Sequence, residues 1–593
     1  MPEPVRVDAL VAAATADTPP RAVVRQARGR HRSERPGASG FLARAAFVTA
    51  GLTAAGSLFG LVRDQILADS FGAGADSDAF LVAWTVPEFA STLLIEDAMA
   101  LILVPAFSRA LLRRHGAPAL VRATLPRLVL TVAAVALLLV VLAPRLVAVL
   151  APGLPDPQLA VDCTRLTATC VLSFALTGYC SAALRAHGRF LPPAAIYVAY
   201  NIGIVSTVLV LREPLGVRSA AVGVAVGGTL MVLVQAPSLV RALRRPQAPA
   251  APDDVPADTA APLVVLALVA PVVVFAVARQ SQVLIERFLA APLPSGAISH
   301  LNYAQKIAQM PMILSLMLCT VTFPVVARAI AAGERDTARR RVERDLLLAV
   351  LVVLVGASVV IAAAPQIVDV LFQRGAFDRA DTEATAAVMR VYALGLLGQT
   401  LVGVLVRCYF SAARPLWFPA ATMLAGLAAT ALAGAVGVRL WGVLGIAAAN
   451  ALGITLTAVL LLTGSGRQSV PLGAGRVAAG VARLAATAAA ATAAAWLCAA
   501  AVAAAAPQGL APAAGTAAAC AVVALVFLPS AARAVRAPGA PPLFLPPLFR
   551  PASRRLAHAR CLGPRPRPRG TAPAAADAAP VGGDVPLDRG HPR

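Results

Sequence analysis

Lys306 is the only lysine among 52 basic residues, and it lies inside the apolar stretch Asn302-Tyr303-Ala304-Gln305-Lys306-Ile307-Ala308-Gln309-Met310-Pro311. A cation is expensive to hold in hydrocarbon, and residues of this kind usually line a water-filled cavity or a substrate path. The chemistry expected is a positive charge set to meet an anion inside the membrane. The alternative is a lysine whose stem snorkels to the interface. Bond-making chemistry has no comparable candidate. The eight cysteines include no C-x-x-C and no paired spacing, so neither a disulfide framework nor a metal site is expected. The six histidines form no H-E-x-x-H or other ligand pattern. No nucleophile stands beside a base. The expectation is a protein that is not an enzyme and needs no metal or cofactor.

The elements that carry such a lysine must span a bilayer. Of 593 residues, 59% are hydrophobic and only 14% charged, which excludes a soluble globular chain. Apolar runs recur at Leu128–Leu142 with its flanks, Leu346–Ala364, Val443–Thr463 and Val477–Ala506. About 20 such residues cross the hydrocarbon core as a helix. The fold class expected is an all-α polytopic membrane protein. The net charge of +23 does not point to nucleic acid, because the arginines fall in short loops and tails. Anionic membrane lipids are the expected partners of those tails.

Spans are expected near 41–66, 78–108, 124–151, 160–186, 191–212 and 217–242, then near 262–290, 296–328, 346–372, 382–411, 415–437 and 441–464, and finally near 475–503 and 511–535. That makes about 14 transmembrane helices. Residues 1–40 and 536–593 read as disordered basic tails, and 243–261 as a Pro/Ala/Asp linker. With the N-terminus in the cytoplasm, the inner loops collect Arg109, Arg113, Arg114, Arg185, Arg189, Arg241, Arg244 and Arg339–Arg341. The first outer loop then carries Asp69, Asp76 and Asp78 with no basic residue. The positive-inside rule therefore puts both termini in the cytoplasm. Pro87, Pro105, Pro311 and Pro324 fall inside spans, where they can serve as bends or be tolerated on structural grounds alone.

An internal repeat divides the chain. Phe59–Leu67 resembles Phe275–Val283, Val104–Ala110 resembles Phe323–Ala329, and Leu184–Ala194 resembles Tyr409–Ala420, in the same order. Two six-helix lobes in parallel are expected, 41–242 (TM1–6) and 262–464 (TM7–12), with two C-terminal helices in 475–535. Parallel repeats about an axis along the membrane normal are a transporter architecture.

The stretch Gly60-Leu61-Val62-Arg63-Asp64, then Phe71-Gly72-Ala73-Gly74, then Asp78-Ala79-Phe80 and Pro87, resembles the MurJ/MviN family of lipid II flippases, within the multidrug/oligosaccharidyl-lipid/polysaccharide exporter superfamily. Glu96, Val104-Pro105 and Phe107 continue the likeness, as do Leu371–Phe377, Asp381-Thr382 and Tyr392–Leu396 in the second lobe. The similarity runs from about 41 to 465. It implies alternating access by two lobes around a central cationic cavity. That cavity would accept the diphosphate and sugar headgroup of lipid II or a related polyprenyl-diphosphate lipid. A groove along the last two spans would hold the polyprenyl tail. Guanidinium and ammonium groups in such a cavity make strong charge-assisted bonds to a diphosphate.

The resemblance also implies site residues. Arg63 matches a family cavity arginine, with an interfacial Arg63–Asp64 pair as the alternative. Lys306 matches a basic position of the eighth span. Asp78 matches an acidic position near the outer mouth, or else is a helix N-cap. Glu96 matches an acidic residue of the second span and is a candidate partner for Arg63 or Lys306. The chain also departs from the pattern. Ser57, Ser91 and Thr92 stand where the family has arginines, and Glu88 where it has asparagine. Arg279 lies where the family has a small polar residue, and would either restore a charge from the second lobe or sit near the inner interface. Glu286 and Arg287 read as a local pair. The function expected is a lipid II flippase of the cytoplasmic membrane. The alternatives are an exporter of another polyprenyl-linked glycan or small molecule, and a non-transporting scaffold that recruits cell-wall synthesis proteins.

Overall fold

The computed structural model describes residues 36–111, 116–244, 262–316, 335–410, 416–468, 473–507 and 509–536. Among them there are helices and connecting turns but no strand. Outside the described residues lie nearly all of both expected tails, most of the 243–261 linker, the repeat stretch Phe323–Ala329 and part of Tyr409–Ala420.

The first half of the chain comprises α1 (Pro36–Phe71), α2 (Ala75–Ser91), a π-helical turn (Thr92–Asp97), α3 (Ala98–Ala110), α4 (Gly116–Leu150), α5 (Pro157–Ala168), α6 (Cys170–Ala186), the short α7 (Leu191–Ala194), α8 (Ile196–Leu215) and α9 (Arg218–Arg244). The second half comprises α10 (Pro262–Ala290), α11 (Ala297–Ala308), α12 (Arg335–Ala362), α13 (Ala364–Phe372), α14 (Arg379–Ala393), α15 (Leu396–Phe410) and α16 (Phe418–Gln468). Two more, α17 (Ala474–Ala505) and α18 (Ala511–Arg536), follow. Most helix packing is within one half, α8 on α9 and α10 on α16 for instance. Helix α1 begins at Pro36, so the last residues of the expected 1–40 tail belong to it.

Among the described residues, eight helices are long and apolar enough to cross a membrane, or nine if the pair α14–α15, bent by 45°, is one span. The chain is thus an all-α, multi-pass membrane protein. Helix α16 is counted once, but Gly442 interrupts it with φ 54° and ψ −129°. That left-handed turn costs glycine little and folds the helix into a hairpin. Gly426 lies against Gly453 and Thr457, and Gly464 against Phe418, so the two arms run antiparallel. The sequence-based division at 437–441 corresponds to this turn. Small residues set close contacts elsewhere too: Gly203 of α8 meets the backbone of Gly227 in α9. Large apolar side chains such as Leu130, Leu137, Leu432, Leu497 and Leu525 face outward, as suits a surface solvated by lipid.

Several expected spans are broken rather than continuous. The second passes through the π-helical turn shortly after Pro87, and the tenth bends by 45° between α14 and α15. The fourth has only a one-residue irregularity at Thr169 within the continuous helix Pro157–Ala186. Pro87 has no amide proton for the Ala83 carbonyl. Thr167 of α5 donates to that oxygen at 3.0 Å instead, which ties the kink to the bundle. Not among the eight long apolar helices are α1, α2, α10 and α11. These four carry Arg63 and Asp64, Asp78 and Glu88, Glu286 and Arg287, and Lys306.

Candidate functional site

Those four helices meet where the two halves of the chain touch. Helix α1 presents Arg63 and Asp64 because Gly56 and Gly60 let it close on α8: a Cβ at Gly56 would meet Tyr197, and Gly60 faces Asn201. Asn201 then fixes the guanidinium. Its Oδ1 accepts from Arg63 Nη1 at 3.0 Å, while its Nδ2 donates to the Gly56 and Tyr197 carbonyls at 3.1 and 2.9 Å. Arg63 Nε and Nη2 donate to Asp64 Oδ1 at 3.0 and 2.7 Å. From the second half, Lys306 Nζ donates to the same oxygen at 3.2 Å.

One buried carboxylate therefore holds a cation from each half. Trp84 of α2 stands beside both, with its ring centroid 4.9 Å from Arg63 Cζ and 5.9 Å from Lys306 Nζ. Ring faces attract cations within about 6 Å, more strongly when water is excluded. The three charged groups line a narrow crevice with Phe71, Leu81, Asn302 and Tyr303, with free space for about one water molecule. Taking such charges out of water is costly, and their mutual attraction offsets the cost only when the geometry is good. Here Asp64 is engaged by three donors and Arg63 by two acceptor groups.

Asp78 performs a different task. It lies within the first turn of α2, and Gly74, not Asp78, is the N-cap of that helix. Its buried carboxylate reaches across to α11. There it accepts from the Gly296 N–H at 2.7 Å, the Ser299 N–H at 2.8 Å and the Ser299 hydroxyl at 2.6 Å. Gly296 is the N-cap of α11 at φ 94°, a left-handed conformation suited to glycine. Asp78 thus caps the helix that carries Lys306, from the other half of the chain, and satisfies amides that the helix itself cannot. The positive end of the helix dipole favours a carboxylate there.

The seam continues around Asp78. Asp69 O accepts from the Ala376 N–H at 2.9 Å, Gln65 Nε2 donates to Leu371 O at 3.0 Å, and Ala73 N–H donates to Asp381 Oδ2 at 3.3 Å. Gly72 and Gly375, both at positive φ, pack directly on Ala376 and Asp69 respectively. Arg63 and Lys306 lie about 9 and 14 Å from this seam along their helices, at 1.5 Å per residue from Asp69 and Ala297. The halves are closed together on the seam side of the crevice.

Glu88 and its neighbours correct the sequence-based expectation. Glu286 and Arg287 are adjacent on α10 and point about 100° apart around the helix, so they do not form a local pair. Glu286 accepts from Asn450 Nδ2 inside the second half, and Asn450 also donates to Tyr392 Oη at 3.2 Å. Arg287 crosses to α2, where it donates to Leu81 O, to Thr85 Oγ1 and to Glu88 Oε2, the last at 3.2 Å. Thr92, at a family arginine position, accepts from Gln280 of α10 at 3.1 Å. The carboxylate that meets Arg63 and Lys306 is Asp64; the side chain of Glu96 lies outside the described residues. Arg279 is exposed and is not among the residues lining the crevice. Sequence reasoning gave no role to Trp84, Asn201 or Asn302, and read Arg287 only as half of a local pair of no transport consequence. Of these, Arg287 alone carried a sequence signal, a charge inside an apolar span.

A family profile described as "Lipid II flippase MurJ" matches residues 67–508. The chain belongs to the MurJ family. Its match takes in Lys306, Asp78 and the seam from Asp69 to Asp381, while Arg63 and Asp64 lie just before it. Among similar MurJ proteins, the "Lipid II flippase MurJ" of Burkholderia cenocepacia is 27% identical over 392 residues, 62% of this chain and 73% of that one. The "Probable lipid II flippase MurJ" of Rhizobium meliloti is 27% identical over 387 residues, 62% and 70% of the two chains. A solved structure described as "Lipid II flippase MurJ, inward closed conformation" superposes with a TM-score of 0.67 at 17% identity, covering 83% of this chain and 99% of that one. An inward-facing multidrug resistance MATE family transporter of the MOP superfamily matches with a TM-score of 0.51 at 14% identity, over 73% of this chain and 98% of that one. At these identities the two likenesses show the fold alone.

Proposed function

We propose that this MurJ-family chain is a lipid II flippase: it carries an undecaprenyl-diphosphate-linked peptidoglycan precursor across the membrane by alternating access of two lobes, residues 41–242 and 262–464. The observation that carries this reading is the convergence of Arg63 and Lys306, one from each half, on Asp64 inside a membrane-spanning bundle. A diphosphate does not cross hydrocarbon unaided, and these cations are the groups that would receive it. In the present state they hold each other through Asp64, and the crevice is too narrow for a headgroup. Substrate binding therefore requires the halves to separate on the side away from the Asp78 seam, and release requires the seam to open. Asp78 and the Asp69–Ala376 contact are the closed gate, and the site between them and the other face is exposed in turn.

Arginine placement supports cytoplasmic termini, which makes the acidic Asp69–Asp78 side the outer one. Substrate then enters from the inner leaflet and leaves outward. The basic tails contact anionic lipid on the cytoplasmic surface. The deciding experiment is complementation of a cell depleted of its own lipid II flippase with wild type, Lys306→Ala and a tail-deleted form. Rescue by wild type and by the tail-deleted chain, and none by Lys306→Ala at equal membrane abundance, is the expected result. Failure of wild type to rescue refutes the lipid II substrate. Rescue by Lys306→Ala with loss on tail deletion would instead indicate a scaffold.

A further inference from the structure

Asn302 stands between two crevices. It lines the one that holds Arg63 and Lys306, and also an adjoining smaller one lined by Glu286, Arg287 and Gln305. Its side chain is among the buried ones, with the residue 9% exposed, and its amide Nδ2 meets no acceptor among the described residues. A buried donor in that condition is costly and calls for an explanation, such as an acceptor that arrives during function. On one side of it lie the cations of the first crevice; on the other lies Arg287, itself 5% exposed.

Among the described residues, the hydrogen bonds of Arg287 go to groups of the opposite half: Leu81 O, Thr85 Oγ1 and Glu88. These contacts break when the halves separate, leaving the guanidinium without its hydrogen-bond acceptors. Glu286 does not take it over, because its carboxylate is engaged by Asn450. The Glu88 side chain is 35% exposed against 6% for that of Arg287, so of the pair it is the carboxylate that is open to exchange for another anion. Asp64 pairs with Lys306 across the halves as Glu88 does with Arg287, but it is buried and also held by Arg63. On that side it is Lys306, its side chain 30% exposed, that is open to an anion.

We propose that Arg287 and Asn302 form the second half of a diphosphate-binding site whose first half is Lys306 with Arg63, and that Glu88 and Asp64 are resident counter-anions displaced by the substrate's two phosphates. This rests on the flippase reading and extends it to specificity. The two crevices share Asn302 as a wall, so two linked phosphates would engage both sets of cations, whereas a monophosphate of the same lipid would engage one. The site therefore selects the diphosphate-linked precursor over the monophosphate carrier lipid. Arg287 supplies from the second lobe a cation that the first lobe lacks at Ser91 and Thr92.

The test uses the full-length protein in detergent and measures binding of undecaprenyl diphosphate, undecaprenyl monophosphate and inorganic diphosphate by native mass spectrometry, with thermal denaturation in parallel. Wild type, Arg287→Gln, Glu88→Gln, the double variant and Lys306→Ala are compared. Arg287→Gln is expected to weaken undecaprenyl diphosphate binding roughly ten- to hundred-fold, the worth of a charge-assisted contact, with little change for the monophosphate. Glu88→Gln tightens the diphosphate lipid by removing its competitor. The double variant regains thermal stability but stays weak for the diphosphate lipid. A double variant that binds like wild type would show Arg287 to be only a strut for Glu88, and the proposal would fail. Equal loss for mono- and diphosphate lipids would overturn the selectivity. If Arg287→Gln does not fold, the Glu88→Gln arm decides alone, since unchanged affinity there is also a refutation. Inorganic diphosphate binding as tightly as the lipid would mean a headgroup-independent anion site and would sink the assignment to substrate. Lys306→Ala without effect on any ligand would refute the underlying flippase reading, whereas an effect there with none at Arg287 refutes this inference alone.

Discussion

Asp78→Ala should unlatch the seam. In the closed state the carboxylate accepts three hydrogen bonds at 2.6–2.8 Å from Gly296 and Ser299. Hydrogen bonds to a charged group contribute about 1.5–3 kcal/mol each, and a buried donor left without an acceptor costs about 1–3 kcal/mol. In the open state the same groups are hydrated, and water can enter the truncated site in the closed one. A net loss of about 2–4 kcal/mol follows for the closed seam, with the neighbouring Asp69–Ala376 and Gln65–Leu371 bonds left in place. That corresponds to a shift of about 30- to 700-fold in the ratio of closed to open. Spin labels at Asp76 and Glu383, which are exposed on opposite sides of the seam, would report it as a distance distribution in a background without native cysteines. Wild type should give one short distance, and Asp78→Ala a dominant longer one. Asp78→Asn keeps an acceptor but loses the charge, and should fall between them. A distance distribution in Asp78→Ala identical to wild type would refute the idea that a trans-acting cap holds the halves together.

Asp64→Asn removes the carboxylate from between two cations, and breaking a buried pair costs about 3–5 kcal/mol. We expect a lower melting temperature and loss of complementation, with partial recovery of stability in Asp64→Asn/Lys306→Met; a melting temperature equal to wild type would contradict the shared-carboxylate arrangement. Trp84→Leu removes the ring beside Arg63 and Lys306, worth about 0.5–2 kcal/mol, and should lower transport in a vesicle-based lipid II assay without removing the protein from the membrane. Gly375→Ala adds a Cβ at φ 55° directly against Asp69, so it should weaken the seam through both strain and overlap, by about 1–3 kcal/mol. The spin-label pair above would register it as opening; Gly188→Ala, also at positive φ but with open space around it, should leave that distance unchanged.

The class of this protein was fixed by composition and by run length. No arrangement of an Ala/Val/Leu-rich chain with 14% charged residues hides its apolar surface from water, so helices in a bilayer follow from the residue types alone. The division near 437–441, where Gly442 turns the helix back on itself, was likewise marked by local signals. Arg63 and Lys306 were legible because a cation in an apolar run is conspicuous wherever it ends up. The Arg63–Asp64 pair was legible too, as the alternative reading of Arg63, but the partner of Lys306 was not. Asp64 is adjacent to Arg63 in sequence but 242 positions from Lys306, and only the crossing of α1 and α11 brings all three to one point. Asp78 was read as an acidic position near the outer mouth, with a cap for its own helix as the alternative, because sequence shows a local start signal and not the helix across the seam. Glu286 and Arg287 looked like a pair for the same reason, although neighbours on a helix face different ways. Burial, the unmatched amide of Asn302 and the choice of counter-anion are properties of two surfaces meeting, and tertiary packing alone decided them.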